Sequence, residues 1–262
     1  MIEIDLSNYN KVIPLFRHID HSIAIVFAVL EGNSPGRVFV ANASQPTSAF
    51  LFPEDSFYYI TGNADDDAFC QSVRHLLFDE ILPNAAEKEM ILFSFNNIWR
   101  QRLDELLQEK GVIRIHRKMF DFNPEKHAAY RKTQKAIPDG MHLQPIDAEL
   151  AERFPNYHSV IDLHSKRFGY CLMDGENIVS ECNAIYVGGG EAEIDIHTTE
   201  EYQGKGYAQL VASKFIEACQ IKGLRPNWSC WPERQASWAL AKKLGFEERP
   251  DVPAHLWFEE MA

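Results

Sequence analysis

The amino-acid sequence predicts an α+β protein in which one plan of strands and helices occurs twice in tandem. Its 262 residues exceed what one average domain needs and are enough for two small ones. Hydrophobic residues make up 45% of the chain and charged residues 24%, so each half can form an apolar core. Both halves follow the order strand, hairpin, strand, helix, strand, helix, strand. The order of elements is the evidence for a duplication, since the two halves show no sequence identity that would support it.

Residues 1–122 form the first predicted domain. A helix is expected around Tyr9–Asp20, and Asp65–Asp67 provide N-cap side chains for a second helix that ends before Pro83. A third helix, Ile98–Lys110, is closed by a glycine. Apolar runs between turn residues predict the strands Ile23–Leu30, Arg37–Ala41, Ala49–Phe52, Phe57–Thr61, Glu89–Phe95 and Val112–Phe122.

A polar segment with two prolines, residues 123–140, is predicted to link this domain to the second one, residues 141–262. In the second domain, apolar residues at helical spacing predict a helix over Gly206–Lys222 that packs one stripe on the sheet. Further helices are expected over Ala148–Phe168, in pieces, and over Glu233–Leu244. The predicted strands are Met141–Ile146, Gly169–Met173, Asn177–Val187, Glu191–Thr198, Asn227–Trp231, Phe246–Arg249 and His255–Glu260.

The charge balance narrows the functional classes. With 26 Lys and Arg against 38 Asp and Glu, the net charge is −12, which disfavours binding to nucleic-acid phosphates and suits a cationic or amine-bearing small molecule. The opening residues are polar and acidic, and the longest apolar run, Ile23–Leu30, is too short to cross a membrane. We therefore expect a cytoplasmic monomer or homodimer that binds neither nucleic acid nor membranes.

No metal site or disulfide framework is expected. The five cysteines have no CxxC spacing, and the pairs His18/His21 and His158/His164 lack companion ligands at metal spacing. Asp65–Asp67 is interpreted as a helix start. Cys171 and Cys182 lie on the two strands of a predicted hairpin, and we interpret them as buried structural thiols rather than nucleophiles.

The segment Glu191–Ala208 carries the most chemical information. A strand whose polar side chains alternate with apolar ones leads into a short loop, Gln203–Ala208, which opens directly into a helix. Backbone N–H groups converge at such a helix start and form a phosphate site, which Gly204 and Gly206 leave open to close approach and to which Lys205 adds charge. The alternative is an ordinary glycine-rich turn. The loop matches neither the dinucleotide nor the nucleoside triphosphate pattern.

Two blocks resemble a known family. Gln203-x-x-Gly206-x-Ala208 is similar to the pyrophosphate signature of the GCN5-related N-acetyltransferases (GNATs). The stretch Glu233–Glu248, which includes Lys243-Leu244-Gly245-Phe246, looks like the second conserved block of that family. Over residues 169–247 the sequence most resembles the subgroup that contains the zwittermicin A self-resistance acetyltransferases. The resemblance implies two GNAT-like domains, each a mixed, mostly antiparallel sheet flanked by helices, with residues 1–122 degenerate because they lack the loop.

The resemblance also implies acetyl-CoA as the acyl donor. The backbone of Ile196, His197 and Thr198 would pair with the pantetheine arm like an added strand. The pyrophosphate would lie against the loop and helix start, at Gln203, Gly204, Lys205, Gly206, Tyr207, Ala208 and Gln209.

Acetylation of an amine requires that a proton leave the ammonium group. The polar face of the strand before the loop offers Glu193, Asp195 and His197. In the family a Glu on this strand commonly takes the proton, and Glu193 matches it best, followed by Asp195 as a base or amine anchor and then by His197. The alternative for each is a polar residue with structural hydrogen bonds. The family's tyrosine acid aligns with Ala241, and its usual asparagine aligns with Arg234. Ser237, on the same helix, is a weak substitute for the acid.

The resulting hypothesis is an acetyl-CoA-dependent N-acetyltransferase. It would act on a primary amine of a small molecule, with aminated antibiotics among the candidates, by direct transfer in a ternary complex. The alternative is a catalytically degenerate acyl-CoA-binding regulatory or scaffold module. The absent tyrosine favours the alternative, and the polar strand face opposes it.

Overall fold

The computed structural model describes residues 1–153 and 166–261. It divides into two compact units, one of Met1–Arg117 with Val252–Ala262 and one of Lys118–Asp251. The expected bounds differ in three places. Residues 118–122, expected in the first domain, and residues 123–140, expected as a linker, lie inside the second unit, and the end of the chain belongs to the first. The end of the chain belongs there because it pairs with an internal strand of residues 1–117, with Ala254 opposite Phe93.

The strands of the first unit form a mixed sheet. Their hydrogen-bonded order is β1-β2-β3-β4-β5-β12, and every pair for which a register is recorded is antiparallel except β4 with β5. The strands are β1 (Ile2–Ile4), β2 (Gly36–Val40), β3 (Ser48–Pro53), β4 (Phe57–Gly62), β5 (Glu89–Ser94) and the last part of β12 (Phe246–Phe258).

Two helical segments near the N-terminus differ from the expectations. Residues Ile23–Leu30, predicted as a strand, form helix α2, so that prediction is wrong. An unbroken apolar run has neither the period of a strand nor that of an amphipathic helix, and six of its eight residues are buried here. The helix expected over Tyr9–Asp20 is a 3₁₀ segment, Leu6–Lys11, followed by the short helix α1, Ile13–Phe16.

The other two helices of the first unit begin as predicted. Helix α3 (Asp67–His75) is N-capped by Asp66, whose side chain accepts a hydrogen bond from Phe69 N at 3.0 Å. A π-helical segment, Leu76–Ile81, extends it towards Pro83. Helix α4 (Asn97–Leu107) has an asparagine cap and continues as one 3₁₀ turn before Gly111. Both helices pack on the sheet around Trp99 and Leu103.

The second unit repeats this arrangement. Its order is β6-β11-β10-β9-β8-β7, and within it only β10 and β11 are recorded as parallel. Two separate strands were expected near the C-terminus, but β12 runs without interruption through Pro250 and Pro253. The strands are β6 (Ile113–Phe122), β7 (Met141–Pro145), β8 (Gly169–Asp174), β9 (Asn177–Gly188), β10 (Glu191–Thr198), β11 (Arg225–Cys230) and the first part of β12.

The helices of the second unit cover its sheet. Helix α5 (Pro124–Arg131) occupies the expected linker, and His127 Nδ1 bonds to the backbone oxygen of Leu244 at 2.8 Å. The apolar stripe of α7 (Tyr207–Ile221) packs against the strands as predicted. The remaining helices are α6 (Ala148–Arg153) and α8 (Gln235–Lys243). The expected helix over 148–168 therefore begins at α6, and its part from 154 to 165 lies outside the described residues.

Within the described residues, no helix combines the length and the apolar character needed to span a membrane.

Candidate functional site

Strand β10 separates an apolar core from a polar face. Ala192 and Ile194 are buried in the cluster that contains α7. Glu193, Asp195 and His197 alternate with them and lie on the other face, as a two-residue period requires. The three polar side chains are not equivalent, because Glu193 is 2% exposed whereas Asp195 and His197 reach solvent.

The edge of β10 opens towards β11 after a few residues. The parallel pairing with β11 covers only Glu191–Glu193, which lie opposite Arg225–Asn227. Beyond it, β10 stays paired with β9 as far as Thr198, after a register shift between Glu193 and Ile194. In the part of the chain that the structure describes, the β11-facing edge of Ile194–Thr198 therefore has no strand partner. Such an edge can pair with an extended ligand.

The loop after β10 turns sharply into α7. Gly204 and Gly206 have φ values of +72° and +90°, in the left-handed region that residues with a side chain rarely adopt. Gln203 Nε2 donates to the backbone oxygen of Thr198 at 3.1 Å, and the Lys205 ammonium lies 4.8 Å from the centre of the Tyr202 ring. These contacts attach the first residues of the loop to the end of β10 and to the turn that follows it.

The start of α7 is suited to an anion. Its N-cap residue is Gly206, which supplies no side chain to the first backbone N–H groups, and no acid lies in the first turn. These N–H groups carry the positive end of the helix dipole. Lys205 adds a positive charge next to them. A phosphate bound here would accept hydrogen bonds from the N–H groups that a capping side chain otherwise takes.

Two residues of β11 hold the Glu193 carboxylate. Its Oε1 accepts from Ser229 Oγ at 2.6 Å, and its Oε2 accepts from Asn227 Nδ2. Both donors lie on the polar face, because Trp228 and Cys230 between and after them point into the core. Sequence reasoning missed Asn227 and Ser229. Their alternation with buried residues marks the face they share, but nothing in the sequence pairs them with Glu193.

Asp195 lies further along the polar face. The surrounding protein raises the pKa of its carboxyl group above the ordinary value, while the Ile196 N–H and the charge of His197 act in the opposite direction. Asp195 therefore combines access to solvent with an environment that disfavours its charge.

Glu181, on β9, is a second buried carboxyl group, and the sequence analysis did not identify it. It lies opposite His197 in the register and is 8% exposed. Burial raises its pKa to about 8, and the charge of Asp195 adds to that shift. Its Oε2 has no hydrogen-bond partner within the described part of the chain. In the sequence it is one polar residue in the strand of a hairpin, so no signal distinguishes it.

The structure places Ser237 on the other side of β11. Its Oγ accepts from the indole N–H of Trp228 at 3.1 Å, and Trp228 points into the core. The Ser237 O–H remains a possible donor. Ala241, where the resemblance leads one to expect a tyrosine, is completely buried in the same core. Ser237 thus contacts Trp228, whereas the Glu193 carboxylate is held from β11 by Asn227 and Ser229.

Cysteines and histidines do not assemble into a further centre in the described ranges. All five cysteines are free and buried, and Cys171 and Cys182 lie on opposite faces of the sheet, since Cys171 pairs with Glu181. No group of three His, Cys, Asp or Glu side chains in residues 1–153 and 166–261 is arranged to hold a metal ion. His158 and His164 lie outside the described residues.

Comparisons with known proteins agree on one family. A family model described as GNAT acetyltransferase matches residues 13–254. A protein of Bacillus subtilis (strain 168) described as the uncharacterised N-acetyltransferase YdfB is 31% identical over 231 residues, which cover 85% of this chain and 85% of that protein.

Solved structures show the same fold. A GCN5-related N-acetyltransferase-like protein from Streptococcus suis 89/1591 superposes with a TM-score of 0.69 at 22% identity, covering 96% of this chain and 98% of that one. A tandem GNAT protein from the clavulanic acid biosynthesis pathway gives a TM-score of 0.67 at 8% identity, covering 98% and 97%. The predicted fold, a mixed and mostly antiparallel sheet flanked by helices in each half, is confirmed.

Proposed function

Because the chain belongs to the GNAT acetyltransferase family, we propose that it transfers the acetyl group of acetyl-CoA to a primary amine of a small molecule. The transfer would be direct, within a ternary complex. One observation carries the proposal: the open edge of β10 leads through two left-handed glycines into an α7 start whose N-cap residue has no side chain. This arrangement suits a ligand that is extended at one end and anionic at the other.

The binding residues follow from that arrangement. Backbone groups of Ile196, His197 and Thr198 would hold the pantetheine arm as an added strand. When bound, acetyl-CoA supplies an activated thioester carbonyl. The pyrophosphate would lie on the helix start, where Lys205 contributes charge and Gln203 steadies the loop. The backbone positions assigned to the pyrophosphate are Gly204, Lys205, Gly206, Tyr207, Ala208 and Gln209.

We assign proton removal to Glu193. Asn227 and Ser229 fix the orientation of its carboxylate, and the Ser229 hydroxyl offers a short path between this buried group and the acceptor amine. Asp195 is the second candidate, since it is on the same face and reaches solvent. A buried carboxylate whose orientation is fixed by hydrogen bonds is suited to the role of a general base.

The proton for the departing thiolate is assigned to Ser237. Its O–H is free to donate while its oxygen accepts from Trp228. A serine is a much weaker acid than the tyrosine that the family commonly uses, so water is an equally reasonable donor here.

The acceptor is expected to be cationic. A net charge of −12 and the acidic face of β9 and β10 attract ammonium groups. Aminated antibiotics of the kind modified by the zwittermicin A resistance subgroup are one candidate class. We place the reaction in the cytoplasm, with the protein acting as a monomer or homodimer and binding neither nucleic acid nor membranes.

A screen with labelled acetyl-CoA tests the proposal. The purified full-length chain is incubated with polyamines, aminated antibiotics and an unbiased metabolite extract, and acetylated products are identified by mass. Turnover of at least one amine is expected. The second candidate function, a non-catalytic acyl-CoA-binding module, is supported by Ala241 at the tyrosine position. Acetyl-CoA binding in calorimetry without turnover of any amine would favour that module.

A further inference from the structure

The polar face of the second unit extends beyond β10 onto β9. In the register, Asp195 lies opposite Asn183, and His197 lies opposite Glu181. Directly paired residues of an antiparallel pair point to the same face, with Cβ atoms roughly 5 Å apart. Glu181, Asn183 and Asp195 therefore form one group beside the proposed base.

Two of these residues are buried with an unused acceptor oxygen. Glu181 is 8% exposed and Asn183 is 3% exposed. Among the residues that the structure describes, neither Glu181 Oε2 nor Asn183 Oδ1 has a hydrogen-bond partner. Leaving a buried polar atom unpaired costs about 1–3 kcal/mol, so two neighbouring ones on one face are a feature that folding alone does not favour. A ligand that donates hydrogen bonds would satisfy both.

A glycine on the adjacent strand leaves room for the Asn183 side chain. Gly169 lies opposite Asn183, and a Cβ at position 169 would overlap the Asn183 side-chain oxygen. Any other residue there would displace the amide. On the far side of Glu181, Cys171 belongs to an apolar cluster with Leu150 of α6. Glu181 thus has an apolar wall on one side and polar groups on the other.

We propose that Glu181, Asn183 and Asp195 form a subsite for a second amino group of the acceptor, so that the acceptor is a compound with at least two amines. The proposal rests on the proposed acetyltransferase function and specifies its substrate class. Positions two apart on a strand are roughly 7 Å apart, which suits amines separated by about four carbons. One amine would lie near Glu193 while the ammonium group of the other is held between Glu181 and Asp195.

The electrostatics agree with a cation between these groups. Burial and the charge of Asp195 raise the pKa of Glu181 to about 8, because two nearby carboxylates in a buried site repel each other. A bound ammonium group would relieve that repulsion and donate to the free oxygens.

A matched pair of amines tests the subsite. The probes are 1,4-diaminobutane and 1-aminobutane, which share a carbon chain and differ in one amino group. Binding of each to the full-length protein saturated with CoA is measured by calorimetry, and kcat/KM is measured with acetyl-CoA. The diamine is expected to bind at least tenfold more tightly than the monoamine. Equal affinity for the two amines, or binding of neither, would overturn the subsite.

Variants locate the effect. Glu181→Gln is expected to weaken diamine binding about tenfold, to leave monoamine binding unchanged and to leave acetyl-CoA affinity unchanged, which also shows that the variant is folded. Glu176→Gln, an exposed carboxyl group in the turn of the same hairpin, is the control and should bind the diamine as the wild type does. A diamine preference that survives Glu181→Gln would overturn the assignment.

The two proposals can fail separately. Turnover of other amines without a diamine preference would leave the acetyltransferase function standing and remove the subsite. Diamine binding that depends on Glu181, without turnover of any amine, would remove the catalytic function and keep the subsite.

Discussion

The two units contain corresponding strand–loop–helix segments that differ at the loop. In the first unit β4 leads to α3, and in the second β10 leads to α7; each strand has a parallel neighbour. The first N–H groups of α3 are capped by Asp66 and flanked by two further acids. The corresponding position in α7 is Gly206. A carboxylate that caps a helix start occupies the N–H groups that a phosphate would need. The start of α3 is therefore closed by its own side chain, whereas the start of α7 is open.

The strand faces differ in the same way. In the first unit Tyr59 stacks on Phe93, with ring centres 5.6 Å apart, where the second unit has Glu193 beside Asn227. The pairing of β4 with β5 continues to Ile60, and the indole N–H of Trp99 donates to the backbone oxygen of Gly62 at 2.8 Å. In the first unit, aromatic rings and backbone hydrogen bonds thus occupy the strand face and edge that are polar and open in the second unit. We propose that it is a degenerate GNAT-like domain that supports the fold.

The largest expected contrast is in the number of cofactors. In residues 1–153 and 166–261, the loop and strand edge described above occur only in the second unit, so calorimetry of the intact chain with CoA should give a stoichiometry near one. A stoichiometry of two would show that the acidic α3 start binds CoA after all, and that the comparison between the units is wrong.

Glu193→Gln is expected to lower turnover by about 10²-fold or more, because glutamine keeps the shape and cannot accept the proton. Acetyl-CoA affinity should persist. Tyr59→Phe, at the corresponding place in the first unit, is the control and should change kcat less than about twofold. Normal turnover of Glu193→Gln at every pH would transfer the role to Asp195.

Glu181 should make the stability of the protein depend on pH. Its pKa is about 8 in the folded chain, above its ordinary value of 4.5, so between these values the folded state holds a proton that the unfolded state has released. The free energy of unfolding therefore falls as the pH rises from 6 to 8, by about 2 kcal/mol from this group.

Urea unfolding at pH 6 and pH 8 measures this effect. Glu191, with a pKa of about 7 through burial, acts in the same direction in both proteins, so the difference between wild type and Glu181→Gln isolates Glu181. The variant should lose less stability than the wild type over this interval. Identical losses would contradict the raised pKa of Glu181.

Gly206→Val is expected to lower CoA affinity at least tenfold, or about 1.4 kcal/mol, because a β-branched residue at a φ of +90° distorts the helix start that we propose as the pyrophosphate site. Gly223→Val, at the other end of α7 with a φ of +69° and free space around it, carries similar strain away from the loop. It should lower stability and leave CoA affinity unchanged. Equal affinities for CoA in the two variants would remove the loop from the binding site.

The smallest expected effect is on the cap of the first unit. Asp66→Ala should lower the free energy of unfolding by about 1 kcal/mol, because Phe69 N loses its acceptor. Asp65→Ala, an exposed neighbour, should change it by less than about 0.5 kcal/mol. A thermal or urea unfolding series compares them, and equal small losses would mean that the cap contributes little.

The sequence by itself determined the features that depend on neighbouring residues. The Asp66 cap, the glycine loop and the stripe of α7 each arise from contacts within a few positions, and the two-residue period of β10 separates Glu193 from Ile194 without any partner. The loop also identified the family. These features together specify where a cofactor would bind.

The tertiary structure alone decided the hydrogen-bond partners and the burial of each polar group. Glu193 finds Asn227 and Ser229 at separations of 34 and 36 residues, and Glu181 becomes a buried carboxyl group because β8, β9 and β10 align in one register. The same holds for Ile23–Leu30, whose apolar run became a helix because it is enclosed by the rest of its unit. Strand register and burial depend on segments far apart in the chain, so no local pattern encodes them.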